Sequence, residues 1–146
     1  MPLKDGNKWY YNSHSRFPDT TSIVFVWEVN GQEKKGGLNY FRIVEHNLLT
    51  NYYDTLFYRL NGDTLFGWET DKEQILADFS LNLNDTAYWR NDLKVVQKSG
   101  EIMQFETRLG QNSSYSISYQ KGIGITDIIE SGVLYHRKKL IKAEIQ

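Results

Sequence analysis

Turn residues recur along this chain at short, nearly regular intervals, and that spacing leaves little room for anything but strands. Asn30-Gly31, Gly36-Gly37, Asn61-Gly62-Asp63, Ser99-Gly100, the stretch GQNSS at 110–114 and Ser131-Gly132 mostly separate short runs rich in β-branched and aromatic side chains. Short runs bounded by Gly/Asn turns are the pattern of a meander, sandwich or barrel. Several runs alternate as a pleated strand requires. SYSISYQ sets Tyr115, Ile117 and Tyr119 on one face and Ser114, Ser116, Ser118 and Gln120 on the other. SIVFVWEV sets Ile23, Phe25, Trp27 and Val29 on one face, and Val24 and Val26 make its second face apolar too, which predicts a central strand.

Composition agrees with the pattern. Ten Tyr, seven Phe and four Trp make 14% of the 146 residues, and alanine occurs three times. Aromatic side chains favour half-buried strands, whereas scarce alanine disfavours helix. One segment, TDKEQILAD, departs from the alternation. Thr70 precedes Glu73 by three residues, the spacing of a helix capping box, and Ile75, Leu76 and Phe79 form a stripe behind it. A β-turn leading into ILADFSL is the alternative. VLYHRKKLIKAEIQ reads as a charged closing strand, since Ser131-Gly132 makes it the hairpin partner of GITDIIE. The expectation is one all-β domain over 1–146, of about ten antiparallel strands in meander order. These would form a barrel or half-barrel, with at most one short helix near 71–78.

Charge and residue types narrow the function. Seventeen basic against eighteen acidic residues give a net charge of -1, without the clustered basic face that nucleic acid requires. The absence of cysteine excludes disulfides, thiolate metal sites and cysteine nucleophiles. No apolar run approaches the ~20 residues of a membrane-spanning helix, so no transmembrane segment is expected. The opening MPLKDGNKWYY has no basic region followed by an apolar one, so a signal peptide is not visible in it. For an exported protein, Met1 would stand where a leader had been removed.

The motif-like stretch GIGITDIIESG, residues 122–132, fails as a phosphate cradle. A dinucleotide fingerprint needs a third glycine and a following helix, whereas position 127 is Asp and TDIIE reads as strand. Gly122 and Gly124 more simply let an aromatic side chain from a neighbouring strand lie across the backbone. His14, His46 and His136 show no metal-ligand spacing, and no serine lies in a G-x-S-x-G elbow. Glu28, Glu69, Asp78, Asp85 and Asp127 fall near strand ends, but nothing selects an acid–base pair among them. Asp5-Gly6-Asn7 and Asn82-Leu83-Asn84-Asp85 read as turns rather than calcium loops. No cofactor, metal or catalytic constellation is expected. The rings carry the positive reading: Tyr10, Tyr11, Tyr52, Tyr53, Tyr58, Trp68, Tyr88 and Trp89 are amphipathic side chains of the kind that bind sugar and peptide surfaces. Tyr52, Tyr53, Trp68, Tyr88 and Trp89 are the candidate binding residues.

Four segments together carry a family likeness. MPLKDGNKWYY, LFYRLNGDTLFGWETDKEQILADFSLNLNDT, YQKGIGI and KKLIKAEI resemble, in the same order, segments of Bacteroidetes-type secreted proteins and lipoproteins of unknown function. Their pattern is PL-x-x-GN-x-W-x-Y, then DFSL-x-x-x-DT, then GIG. Asn84 stands where that pattern usually has Gly before Asp85-Thr86, and Ala77 replaces an aromatic side chain before Asp78-Phe79. The resemblance implies export to the cell envelope or beyond, a late strand at GIG, and no family catalytic residues. The resulting expectation is a non-catalytic envelope module that binds a glycan, peptide or envelope protein through exposed aromatic side chains. The alternative is a lipocalin-like carrier of a small apolar ligand, which requires a barrel whose interior is not filled by its own side chains. The sequence leaves the oligomeric state open.

Overall fold

The computed structural model describes residues 2–15, 22–86, 93–108, 112–132 and 135–146. These residues form eleven strands and no helix: β1 Lys8–Ser15, β2 Phe25–Lys35, β3 Leu38–Asn47, β4 Tyr52–Asn61, β5 Thr64–Glu69, β6 Lys72–Asp78, β7 Leu93–Ser99, β8 Ile102–Arg108, β9 Ser114–Gln120, β10 Gly124–Ser131 and β11 His136–Glu144. All belong to one antiparallel sheet in the order β6-β5-β4-β3-β2-β1-β11-β10-β9-β8-β7. The meander is thus joined through its ends: β1 pairs with β11, from Lys8 opposite Glu144 to Ser15 opposite His136. The outermost strands are β6 and β7, which are consecutive in sequence, and no ladder joins them among the described residues. Residues 84–86 bridge to β7: Thr86 lies opposite Lys94, the Asn84 amide donates to the Val95 carbonyl at 2.9 Å and the Val95 amide to the Asp85 carbonyl at 3.0 Å.

The turns explain both agreement and departure. Gly36-Gly37 and Asn61-Gly62-Asp63 close hairpins with positive φ at each glycine, as their residue types require. Asn30-Gly31 does not end a strand. Val29 pairs with Ile43 and Gln32 with Phe41, so Asn30 and Gly31 form a bulge opposite Arg42 within one long β2. The Arg42 guanidinium donates to the Asn30 carbonyl at 2.9 Å and to its Oδ1 at 3.1 Å, and the Gly31 amide donates to Asp5 Oδ1 at 2.6 Å. The capping-box spacing at Thr70 yields no helix. Thr70 and Asp71 make a turn with positive φ, and 72–78 is strand β6. Pairing against β5 outweighs the local helical signal, because Leu65 and Ala77 face each other in the core.

One face of the sheet supplies the core. Trp9, Tyr11, Trp27, Val29, Ile43, Leu65, Ala77, Val95, Phe105, Ile117 and Tyr119 form a single buried cluster drawn from both halves of the sheet. Phe79, one residue beyond β6, packs edge-on against Phe105 of β8 and Tyr119 of β9, with centroids 6.3 and 5.3 Å apart. The sheet therefore curls, bringing side chains near its two edges into contact around one interior. Gly124 opens β10, as expected for the GIG element. The Trp9 indole donates to the Ile123 carbonyl at 2.6 Å and the Tyr11 hydroxyl to the Ile125 carbonyl at 2.9 Å, so two rings of β1 reach across the backbone on either side of Gly124. Gly122 serves the preceding turn instead, with φ of 75° and open space where a Cβ would point.

Candidate functional site

At one end of the curled sheet the inward face changes from apolar to charged. Alternation along each strand shows how. In β3, Ile43 is in the core and Glu45 lies beyond it; in β4, Tyr58 and Leu56 give way to Asp54. Likewise Leu65 and Gly67 give way to Glu69 in β5, Ile128 to Glu130 in β10, and Leu140 to Lys138 and His136 in β11. These strand ends surround a cavity of about 440 Å³. That volume lies within the ~300–1,000 Å³ range of small-molecule sites.

The inner wall is aromatic and aliphatic: Phe25, Trp27, Leu56, Tyr58, Tyr115, Ile117 and Ile128. Trp27 leans on Tyr11 beneath it at 5.1 Å and meets Tyr58 edge-on at 6.5 Å, so the floor is a set of interlocked rings. Burial pushes the Tyr58 phenol well above its ordinary value, which keeps it a neutral hydrogen-bond donor inside the cavity. Glu45 fixes the entrance: it accepts from the Trp27 indole and from Lys138 Nζ at 2.7 Å. The same ammonium lies 4.0 Å from the centroid of Phe25 and 5.7 Å from that of Trp27, a cation–π arrangement. Arg137 is bound to Asp127 by contacts of 2.9 and 2.5 Å.

The structure distributes the sequence candidates rather than gathering them. Tyr52 shares the inward face of β4 with Asp54 and lies beyond the rim, 64% exposed. Tyr53 faces the other way, 56% exposed, and stacks on His46 at 4.0 Å. Trp68 is half-buried on the outer face, where it meets Tyr40 edge-on at 5.7 Å. Tyr88 and Trp89 lie outside the described residues. Of the carboxylates considered from sequence, only Glu69 lines the cavity. Glu28 pairs with Lys8, Asp127 with Arg137, and Asp78 and Asp85 accept hydrogen bonds within their own turns. Glu45, Asp54 and Glu130 were not among them. The signal that would have found them is a charged residue at an inward position of an otherwise apolar alternation.

A second recess, of about 290 Å³, opens at the opposite end of the sheet beside Phe79, Met103 and Tyr119. No group of three or more metal-ligating side chains occurs among the described residues. No family model, curated protein or solved structure matches the chain.

Proposed function

We propose that this chain is a non-catalytic binding protein that holds a small, largely apolar molecule in the cavity at the charged end of its curled sheet. The carrying observation is the cavity itself: about 440 Å³ walled by Phe25, Trp27, Leu56, Tyr58 and Ile128 in a domain otherwise packed with rings. Most ligand sites combine apolar walls with a few polar groups that fix orientation, and here Tyr58, Glu45 and Lys138 are such groups. The acids of the rim favour binding over catalysis. Glu45 is engaged by Trp27 and Lys138, while Asp54, Glu69 and Glu130 are exposed to water. In this reading the sheet is a half-barrel, lipocalin-like in use, with its seam between β6 and β7. The likeness to Bacteroidetes-type secreted proteins makes an exported, envelope-associated role part of the proposal.

A neutral solvatochromic dye such as Nile red tests the reading. It is expected to bind one-to-one with a blue-shifted emission, and Leu56→Trp, which fills the cavity, to abolish binding while the near-ultraviolet circular dichroism keeps its native form. No binding, or equal binding to the filled variant, would sink the proposal.

A second reading rests on a separate observation. Leu48, Leu49, Tyr52 and Tyr53 are all exposed at the tip of the β3–β4 hairpin, and adjoining exposed apolar side chains mark contact surfaces. This tip would carry the glycan, peptide or envelope-protein contact. Loss of such a partner in Tyr52→Ala or Tyr53→Ala, with the dye still bound, would separate the two sites.

A further inference from the structure

We infer that the cavity selects a cationic amphiphile, an apolar body bearing an amine or quaternary ammonium. The inference rests on the cavity being a ligand site and names the chemistry of its occupant. Charge balance at the entrance is the first observation. Glu45, Asp54, Glu69 and Glu130 face it from four different strands. Of the basic side chains there, Lys138 is committed to Glu45 and Arg137 to Asp127, and His136 is the third. Asp54, Glu69 and Glu130 form no ion pair with any described residue, so the entrance carries a net negative field.

The second observation is independent of that balance. Lys138 places a primary ammonium over the Phe25 ring at 4.0 Å, backed by a carboxylate at 2.7 Å. The chain's own side chain thus shows that the entrance accommodates an ammonium between a ring face and an acid. A ligand ammonium at the rim would meet Asp54, Glu69 and Glu130, which form no ion pair with a described residue, while its apolar body lay on Leu56 and Ile128. An anionic head group there would be desolvated beside like charges.

Three probes of equal chain length decide the matter by titration calorimetry and native mass spectrometry: decyltrimethylammonium and decanoate below their micelle concentrations, and decanol below its solubility limit. The cation is expected to bind one-to-one and about tenfold more tightly than either other probe, equivalent to about 1.4 kcal/mol. The triple variant Asp54→Asn, Glu69→Gln, Glu130→Gln is expected to bring all three within about twofold of each other, without weakening decanol; these acids are exposed and their screened attraction is the quantity removed. Decanol or decanoate binding the unaltered protein as tightly as the cation would overturn the charge inference and leave the cavity reading intact. A preference that survived in the triple variant would also overturn it. Failure of all three probes to bind would overturn the cavity reading with it.

Discussion

Single residues in this fold are constrained by rings that cross neighbouring backbone. A Cβ on Gly36 would stand 2.7 Å from Cη2 and 2.9 Å from Cζ3 of Trp68, and its φ is 56°. Gly37 has an equally demanding φ of 85° but open space beside it. Left-handed backbone costs a non-glycine residue about 1–2 kcal/mol, and overpacking against a rigid ring adds about 1–3 kcal/mol. Gly36→Ala is therefore expected to lose about 2–5 kcal/mol in urea titrations and to shift tryptophan emission, whereas Gly37→Ala loses only the backbone part. Equal losses would show that the ring contact contributes nothing. Asn7 is constrained differently. It is fully buried, its amide donates to the Pro2 carbonyl at 2.7 Å, and its Oδ1 accepts from the Gln146 amide at 2.9 Å. The Gly-Asn of the opening segment thus ties the two ends of the chain together, and the indole of Trp9 ties the same segment to β10.

At the scale of elements, the outer face of β3 to β6 is organised by one acid. Glu73 of β6 accepts from the Tyr40 hydroxyl of β3 and from Arg59 Nη2 of β4 at 2.7 Å, while Arg59 lies 4.3 Å from the centroid of Phe66 on β5. Partial burial pushes the Glu73 carboxyl up, but the hydrogen bonds from Tyr40 and Arg59 and the charge of Arg59 outweigh it and hold the carboxyl below its ordinary 4.5. A depressed carboxyl means that the unfolded chain binds the proton more readily. The stabilisation is complete above the ordinary value and is lost as pH falls through the lower folded value. Glu73→Gln is expected to cost about 1–2 kcal/mol near neutrality, the scale of hydrogen bonds to a charged group. The gap between wild type and variant should narrow from about pH 6 to about pH 3 in urea titrations. A constant gap would mean that the ionised carboxylate contributes no more than its amide.

For the whole molecule, the decisive pairing is that of β1 with β11. It puts both chain ends in the middle of the sheet and makes β6 and β7 the outermost strands. Removing β11 would split the sheet rather than trim it, whereas a break just after β6 leaves every strand ladder intact and keeps residues 84–86 bridged to β7. A circular permutant that joins Gln146 to Pro2 through a short flexible linker and opens the chain between β6 and β7 is expected to keep the native circular dichroism and cooperative melting. A chain ending at Gly132 is expected to lose both. If the truncated chain melted cooperatively, the central role assigned to β1–β11 would be wrong. Because that pairing joins the most distant residues of the chain, its loop-closure entropy also makes slow folding the expected behaviour.

What the sequence determined by itself was local. Alternation and turn chemistry act over a few neighbouring residues, so they marked TLFGWE, SYSISYQ and the strand following GIG, and identified an all-β chain in meander order. The tertiary structure decided what depends on partners distant in sequence. Asn30-Gly31 became a bulge because Arg42 and Asp5 hold it inside β2. The turn at Leu48 was not legible, since two leucines carry no turn signal; Asn47 Oδ1 makes it by accepting the Leu49 and Thr50 amides at 3.0 and 3.3 Å. TDKEQILAD became a strand because its apolar positions are buried against β5, and burial outweighs a capping preference worth about 1 kcal/mol. The candidate site divides in the same way. Each of its acids stands in the sequence at an inward position, but their meeting around one cavity depends on the curvature of an eleven-stranded sheet. Curvature is the sum of small twists between strands, and no short stretch of the chain encodes it.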